Sequence, residues 1–297
     1  MKITTSYLLL IISIILSSCS KKLTSTLDLS AAEKEAVYKV LKDISYGADA
    51  EQTMDIYLSK KAKSFGKQNY TIVFLHGGAY YLSDKSKEER YIEPYLGKGL
   101  NVVNLNYRLK RGIPIATSDL TNALNFLKTN NADYGLNLDK VVVTGFSAGA
   151  HIASNVGFAQ NNPEYPNKLD EGITITGIIN FSGPVDGLDL IERIFSEHEY
   201  DLFSQAGKAL FAPEEYESKE NIAIYEPITY FDPNDPPIFL WQGALDDQVP
   251  PVTFEQFVIK MRKDKDLRMF VPDGKHSPNK EELEKAYIEI FKFLDGI

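Results

Sequence analysis

The sequence has a single cysteine and few clustered basic residues, and both shortages exclude classes of protein. With Cys19 alone, no internal disulfide can form. Lysine and arginine number 32 against 41 acidic residues, and no basic cluster goes beyond short pairs such as Lys60 and Lys61, so no nucleic-acid partner is expected. Ordinary solubility explains the net charge of -9. No H-E-x-x-H motif or regular carboxylate loop occurs, so neither a metal nor an organic cofactor is predicted.

Residues 1–19 are predicted to direct the protein to its location. Lys2 precedes an apolar run over residues 7–16, which is too short to span a bilayer comfortably. The next residues, Leu-Ser-Ser-Cys at 16–19, resemble a bacterial lipobox. The resemblance implies a signal peptide over residues 1–18, a lipidated Cys19, a tether over residues 19–30 and a membrane anchor in the cell envelope, periplasmic or outer-membrane. The alternative is that Cys19 is a spare thiol behind an ordinary secretory signal.

Apolar segments of strand and helix type alternate along the rest of the chain. Strands are predicted at residues 70–75, 102–105, 141–144, 173–181, 238–241 and 267–271, with helical stripes at 116–127, 254–261 and 283–294. A helix over residues 31–43 and an antiparallel hairpin within residues 45–55 are predicted to precede them. The alternation predicts an α/β fold, a mostly parallel twisted sheet covered by helices on both faces, which forms one catalytic domain over residues 31–297.

One interval is longer than a normal crossover between strands. Residues 183–236 separate two predicted core strands, so an insertion is expected at about residues 184–235. Its apolar residues recur at the spacing of amphipathic helices. These helices either close over the active site as a lid or pad the core, and the sequence leaves both alternatives open.

The pentapeptide at residues 145–149 is the strongest chemical signal in the chain. It reads G-x-S-x-G, directly follows an apolar strand and leads into a helical segment. Such an elbow exposes a serine hydroxyl as a nucleophile, here that of Ser147. Gly145 and Gly149 are expected where the strand and helix backbones come too close for side chains.

A nucleophilic serine needs a histidine base and an orienting carboxylate. Among the four histidines, His276 is the best base because it follows the last predicted strand, downstream of Ser147. His151, one helical turn past Ser147, is interpreted as a structural histidine, and His198 as a solvated one. The loop after the strand at residues 238–241 offers Asp246 and Asp247 as carboxylates.

The oxyanion of a tetrahedral intermediate needs backbone N–H donors. Ala148 follows the nucleophile at the start of a helix and offers one. His76, Gly77, Gly78 and Ala79 follow a predicted strand in the position of an HGGG-type loop and offer the others. His76 is interpreted as a support of this loop rather than a catalytic group.

These motifs make the chain similar to the α/β-hydrolase superfamily, and in particular to hormone-sensitive-lipase-like and bacterial feruloyl- or acetylxylan-esterase-like carboxylesterases. The similarity covers nearly all of the chain after about Ser45 and rests on residues 54–58, 76–80, 106–109, 145–151, 243–250 and 274–276. It selects Asp246 as the carboxylate and implies that Gly78, Ala79 and Ala148 donate to the oxyanion while Gly77 shapes the loop. The chain departs from the pattern at Ala79 and Ala150, where glycine is common.

The resemblance implies a serine carboxylesterase that acts on short-chain or carbohydrate-linked esters through an acyl-enzyme. Related enzymes of the arylformamidase or prolyl-peptidase type cleave amides with the same triad, so an amide hydrolase is an alternative. A non-catalytic envelope binding protein on a hydrolase scaffold is another. The sequence does not determine acyl specificity or oligomeric state.

Overall fold

Eight strands form one sheet in the part of the chain that the computed structural model describes, residues 30–211 and 222–297. Their order across the sheet is β1-β2-β4-β3-β5-β6-β7-β8. Strands β1 and β2 are antiparallel to their neighbours, and every later pair is parallel. The strands are β1 Tyr38–Ser45, β2 Thr53–Ser59, β3 Thr71–Leu75, β4 Asn101–Leu105, β5 Val141–Phe146, β6 Ile175–Phe181, β7 Ile238–Gly243 and β8 Leu267–Val271.

Helices connect the strands and cover both faces of the sheet. The α-helices are α1 Ala31–Val37, α2 Glu93–Lys98, α3 Gly112–Thr129, α4 Asn131–Tyr134, α5 Ala148–Ala159, α6 Leu188–Ser196, α7 Asp201–Lys208, α8 Pro227–Tyr230, α9 Glu255–Lys260 and α10 Lys280–Asp295. Short 3-10 helices lie at Ala62–Gln68, Lys85–Lys87, Glu89–Tyr91 and Pro251–Phe254. The predicted α/β architecture is confirmed, because helices alternate with the parallel strands.

The sheet separates two apolar clusters, one on each face. Leu120 of α3 and Ile152 of α5 belong to the first cluster, whereas Tyr95 of α2 and Tyr287 of α10 belong to the second. Every residue of the central strands β3, β4, β5 and β7 is buried. Because both faces of these strands are buried, their sequences are mostly apolar, as expected for the inner strands of a parallel sheet. The alternating burial of β8 fits its place at the sheet edge.

The prediction of a helix over residues 31–43 is wrong for the second half of this range. Only Ala31–Val37 is helical, and β1 follows without a break. Val40 and Leu41, which helped to suggest a longer helix, belong to a strand paired with β2. Tyr38 fixes this strand, because its side chain is buried and its hydroxyl donates to the carbonyl oxygens of Leu96 and Leu100 at 2.8 and 3.1 Å. The predicted hairpin exists, but its strands extend well beyond residues 45–55.

The insertion lies at the edge of the sheet where the parallel strands end. The Leu210 carbonyl oxygen accepts from the N–H of Ile113, which begins α3 just after β4. The Tyr81 hydroxyl donates to Gln205 of α7 at 2.7 Å. Leu188, Ile191, Phe195, Leu210 and Phe211 are buried in the first apolar cluster, so these parts of the insertion pad the core. Residues 212–221 of the predicted insertion lie outside the described residues.

The predicted signal peptide, Cys19 and most of the tether also lie outside the described residues, which begin at Ser30. Within the described ranges, no helix is both long enough and apolar enough to cross a membrane.

Candidate active site

Ser147 occupies a sharp elbow between β5 and α5. Its backbone angles are φ 53° and ψ -121°, which a non-glycine residue rarely adopts. A Cβ on Gly149 would lie 2.2 Å from the carbonyl oxygen of Leu75, and one on Gly145 would lie 2.4 Å from the carbonyl carbon of Gly149. Both glycines are therefore required by the close approach of β5, α5 and β3.

Three side chains from separate loops meet at this elbow. The Nε2 of His276 lies 2.9 Å from the Ser147 hydroxyl, and its Nδ1 lies 2.8 Å from Oδ2 of Asp246. A carboxylate only accepts hydrogen bonds, so Nδ1 carries the proton and Nε2 accepts from the serine. Each residue is less than 9% exposed. The structure thus brings together the serine, histidine and aspartate that the sequence predicted as a triad.

The loop after β7 holds the Asp246 carboxylate in place. Its Oδ1 accepts from the backbone N–H groups of Gln248 and Val249 at 3.0 and 2.9 Å, which leaves Oδ2 for His276. Asp246 is buried, whereas the neighbouring Asp247 is exposed. The geometry therefore selects Asp246 of the two carboxylates in this loop.

The predicted oxyanion loop follows β3 and contains two free donors. The N–H of Gly77 donates to Oε2 of Glu88 at 3.1 Å, so Gly77 shapes the loop and does not donate to an oxyanion. Within residues 30–211 and 222–297, the N–H groups of Gly78 and Ala79 have no acceptor. The Ala148 N–H is in the first turn of α5, where helical N–H groups have no intrahelical partner.

The loop has an unusual backbone that explains part of its sequence. Gly78 has φ 108°, and a Cβ there would lie 2.0 Å from the carbonyl oxygen of Leu82. Ala79 and Tyr80 follow with φ 53° and 59°, so three successive residues have positive φ. The alanine that replaces the common third glycine therefore keeps the left-handed backbone at Ala79.

His76 and His198 lie outside the triad. His76 is buried, stacks on Tyr107 with ring centroids 4.5 Å apart, and has Nδ1 2.6 Å from the Gly77 carbonyl oxygen. Burial lowers the pKa of His76 to about 4, so it is neutral and supports the loop as interpreted from the sequence. His198 is not fully solvated, because its ring lies 4.8 Å from that of Phe203.

Two residues near the triad carry no sequence signal that identifies them. Glu88 supports the oxyanion loop through Gly77, and burial raises the pKa of its carboxyl group although that hydrogen bond lowers it. Ser182, at the end of β6, donates to the His276 carbonyl oxygen at 2.7 Å. Only the folding of distant segments brings them to the site.

The described residues include no group of three or more His, Cys, Asp or Glu side chains arranged to hold a metal ion. A cleft of about 820 Å³ lies at the opposite edge of the sheet, where β6, β7 and β8 begin, and is separate from Ser147. The hydrogen bonds of Ser147, His276 and Asp246 can support proton transfer and nucleophilic attack by side chains, and the free backbone N–H groups of the loop can hold an oxyanion.

A mostly parallel eight-stranded sheet with helices on both faces, and a serine at a strand-to-helix elbow beside a histidine–aspartate pair, define the α/β-hydrolase fold. The chain belongs to the BD-FAE family, whose model matches residues 54–261. This match includes Ser147, Asp246 and the oxyanion loop, and ends before His276.

Curated relatives are similar to the chain over much of its length. Endo-1,4-beta-xylanase B of Butyrivibrio fibrisolvens is 24% identical over 204 residues, which are 65% of this chain and 30% of the xylanase. Esterase LipC of Mycobacterium tuberculosis is 22% identical over 235 residues, 74% of this chain and 54% of LipC. The chain thus spans between 30% and 54% of the length of these two relatives.

Solved structures share the fold. A bifunctional GH43-CE protein of Bacteroides eggerthii has a TM-score of 0.68 at 24% identity, covering 86% of this chain and 38% of that one. Esterase B of Lactobacillus rhamnosis has a TM-score of 0.67 at 19% identity, covering 97% of this chain and 94% of its own. At these identities the similarity shows a common fold.

Proposed function

We propose that this protein is a serine carboxylesterase that works through an acyl-enzyme. The observation that carries the proposal is the continuous chain of hydrogen bonds from the Ser147 hydroxyl through His276 to Asp246, at 2.9 and 2.8 Å, on a strained elbow. Relatives named as esterases and as a carboxylic ester hydrolase support it.

The proposed mechanism has two half-reactions. In the first, His276 takes the Ser147 proton while Oγ bonds to the ester carbonyl carbon, and His276 then gives that proton to the departing alcohol oxygen. In the second, water attacks the acyl-serine and gives one proton to His276, and the serine recovers a proton as the acid leaves. Asp246 keeps Nδ1 protonated and stabilises the imidazolium, and the N–H groups of Gly78, Ala79 and Ala148 bind the oxyanion.

Short acyl groups, and acetyl or feruloyl-type groups on carbohydrate, are the substrates that we propose. The xylanase among the relatives supports a carbohydrate context. The amide hydrolases of arylformamidase or prolyl-peptidase type remain the second candidate, because their triad performs the same proton transfers.

A substrate panel separates these candidates. The detergent-solubilised full chain is assayed on p-nitrophenyl acetate, acetylated xylan, feruloyl esters, formylkynurenine and a proline anilide. We expect hydrolysis of the esters. Activity confined to the two amide substrates would replace the esterase proposal with the amide hydrolase.

Removal of the nucleophile tests the mechanism and the binding-protein alternative together. Ser147→Ala is expected to abolish ester hydrolysis and labelling by a fluorophosphonate, whereas the exposed Ser64→Ala retains both. A wild-type protein with neither hydrolysis nor labelling would favour a non-catalytic binding protein, and labelling that persists in Ser147→Ala would show that another residue is the nucleophile.

We also propose that Cys19 carries a lipid anchor that holds the protein in the cell envelope. The lipobox-like residues 16–19 support this. Metabolic labelling with palmitate should mark the wild type and not Cys19→Ser, and equal labelling of both would refute the anchor.

A further inference from the structure

His151 joins three segments of the molecule through a fully buried imidazole. It lies on α5 one turn after Ser147, and the backbone N–H of His151 donates to the backbone carbonyl oxygen of Ser147 at 3.0 Å. Its ring nitrogens contact the Tyr80 hydroxyl and the Tyr225 carbonyl oxygen, each at 2.7 Å. Tyr80 directly follows the oxyanion loop, and Tyr225 lies where the insertion returns to α8.

Only one arrangement of protons satisfies all of these groups. The Tyr225 carbonyl oxygen accepts, so Nε2 of His151 carries the hydrogen, and Nδ1 must then accept from the Tyr80 hydroxyl. Burial lowers the pKa of His151 to about 4 and raises the pKa of Tyr80 well above 10, so both groups are neutral. A neutral imidazole thus anchors the tyrosine hydroxyl.

Tyr80 needs such an anchor because its backbone is strained. Ala79 and Tyr80 both have positive φ, a conformation that costs about 1–2 kcal/mol for each residue with a Cβ. The Tyr80 side chain is 4% exposed, and its carbonyl oxygen accepts from the Lys110 N–H at 2.8 Å. His151 therefore holds the Tyr80 side chain, and Lys110 holds the Tyr80 backbone. Together these two bonds fix the backbone just before Tyr80, which carries the N–H groups of Gly78 and Ala79.

We propose that His151 is a positioning residue of the reaction: by binding the Tyr80 hydroxyl, it fixes the oxyanion loop relative to the nucleophile helix. The inference rests on the proposed esterase function. The transition state depends on these N–H groups more than the bound substrate does, so displacement of the loop lowers kcat more than it changes KM.

Two substitutions of His151 separate its two hydrogen bonds. Asparagine places an acceptor near the position of Nδ1 and preserves the partner of Tyr80. Glutamine places a donor near the position of Nε2 and preserves the bond to Tyr225. Tyr80→Phe removes the hydroxyl from the other side, and Tyr81→Phe is the matched control, because its hydroxyl binds Gln205 of the insertion instead.

The variants are compared on p-nitrophenyl acetate and with a trifluoromethyl ketone, whose hydrate or hemiketal oxyanion requires the oxyanion donors. We expect Tyr80→Phe and His151→Gln to lower kcat about tenfold, less than complete loss of one donor, and to weaken the ketone by a similar factor with little change in KM. His151→Asn should lose clearly less than His151→Gln. The Tyr80→Phe/His151→Gln double variant should be no worse than either single variant, because both remove one interaction.

Different outcomes overturn different claims. If the wild type neither hydrolyses esters nor reacts with a fluorophosphonate, the proposed function fails. If the wild type is active but Tyr80→Phe retains its kcat and ketone affinity, His151 is structural and the inference fails. Equal losses in the asparagine and glutamine variants would also contradict it, because the Tyr80 bond would not be the one that matters. Should both His151 variants fail to fold, Tyr80→Phe against Tyr81→Phe decides.

Discussion

The Ser182 hydroxyl donates to the backbone carbonyl oxygen of His276 at 2.7 Å. Ser182 is fully buried at the end of β6 and has φ 55°. The bond fastens the loop that carries His276 to the strand beside the nucleophile strand β5. It therefore fixes the backbone of the base, while Asp246 fixes its ring.

We expect Ser182→Ala to lower kcat modestly and to destabilise the fold by about 1–3 kcal/mol, because a buried carbonyl oxygen loses its donor. The loss of kcat should exceed any change in KM, since the substrate does not contact Ser182 in the proposed mechanism. Steady-state kinetics and urea unfolding check this, with the exposed Ser64→Ala as the control. An unchanged unfolding curve would show that the bond contributes nothing.

Asp246→Asn should lower kcat by about ten-thousand-fold, because an amide donor stabilises the wrong histidine tautomer and no longer balances the imidazolium. The adjacent Asp247→Asn is the matched control, since Asp247 is exposed and the carboxylate bonded to His276 is that of Asp246. Both variants are measured on p-nitrophenyl acetate. A larger loss in Asp247→Asn would reverse the assignment of the carboxylate.

Gly149→Ala is expected to destabilise the protein by about 3 kcal/mol or to prevent folding, because its new Cβ would lie 2.2 Å from a backbone oxygen of β3 that cannot move freely. Gly296→Ala places its Cβ 3.4 Å from the nearest oxygen and should change little. Urea unfolding compares the two. Wild-type stability in Gly149→Ala would mean that β3 and α5 are not as close as the structure shows.

Asp235 gives the stability a pH dependence of definite sign. Burial raises the pKa of this carboxyl group from 3.8 to about 6. Between these values the folded protein retains a proton that the unfolded chain has released, so the free energy of unfolding falls as pH rises, and the loss is complete above about pH 6.

Asp235→Asn removes this loss, so it should stabilise the protein more at pH 7.5 than at pH 4. The exposed Asp264→Asn should show no such difference between the two pH values. Urea unfolding at both pH values provides the comparison. A stability gain in Asp235→Asn that is equal at pH 4 and pH 7.5 would contradict the raised pKa.

The order and type of the central elements could be predicted from local sequence. Strands buried on both faces are mostly apolar, and the helices that cover them carry an apolar stripe, so β3, β5 and α3 each have a clear sequence pattern. The error at residues 38–43 has the same origin. β1 lies at the sheet edge with mixed burial, so its pattern carried no decisive period and the tertiary contacts of Tyr38 determined its conformation.

Residues that support the site were beyond prediction. Glu88 reaches Gly77 from eleven positions along the chain, and Ser182 reaches His276 from a different strand. Tyr80 directly follows the glycine loop in the sequence, but no local pattern indicates its bond to His151. The two residues of each pair have no characteristic spacing in the sequence that would predict their contact.

The sequence by itself determined the α/β class, the elbow at Ser147 and the residues available as base, carboxylate and oxyanion donors, because each depends on local pattern and chain order. Tertiary structure alone decided which groups meet. It brought Asp246 to 2.8 Å from His276, bound the Gly77 N–H to Glu88, and placed the His151 imidazole between Tyr80 and Tyr225. The physical reason is that hydrogen bonds act over about 3 Å, and only the packed sheet brings segments far apart in sequence within that distance.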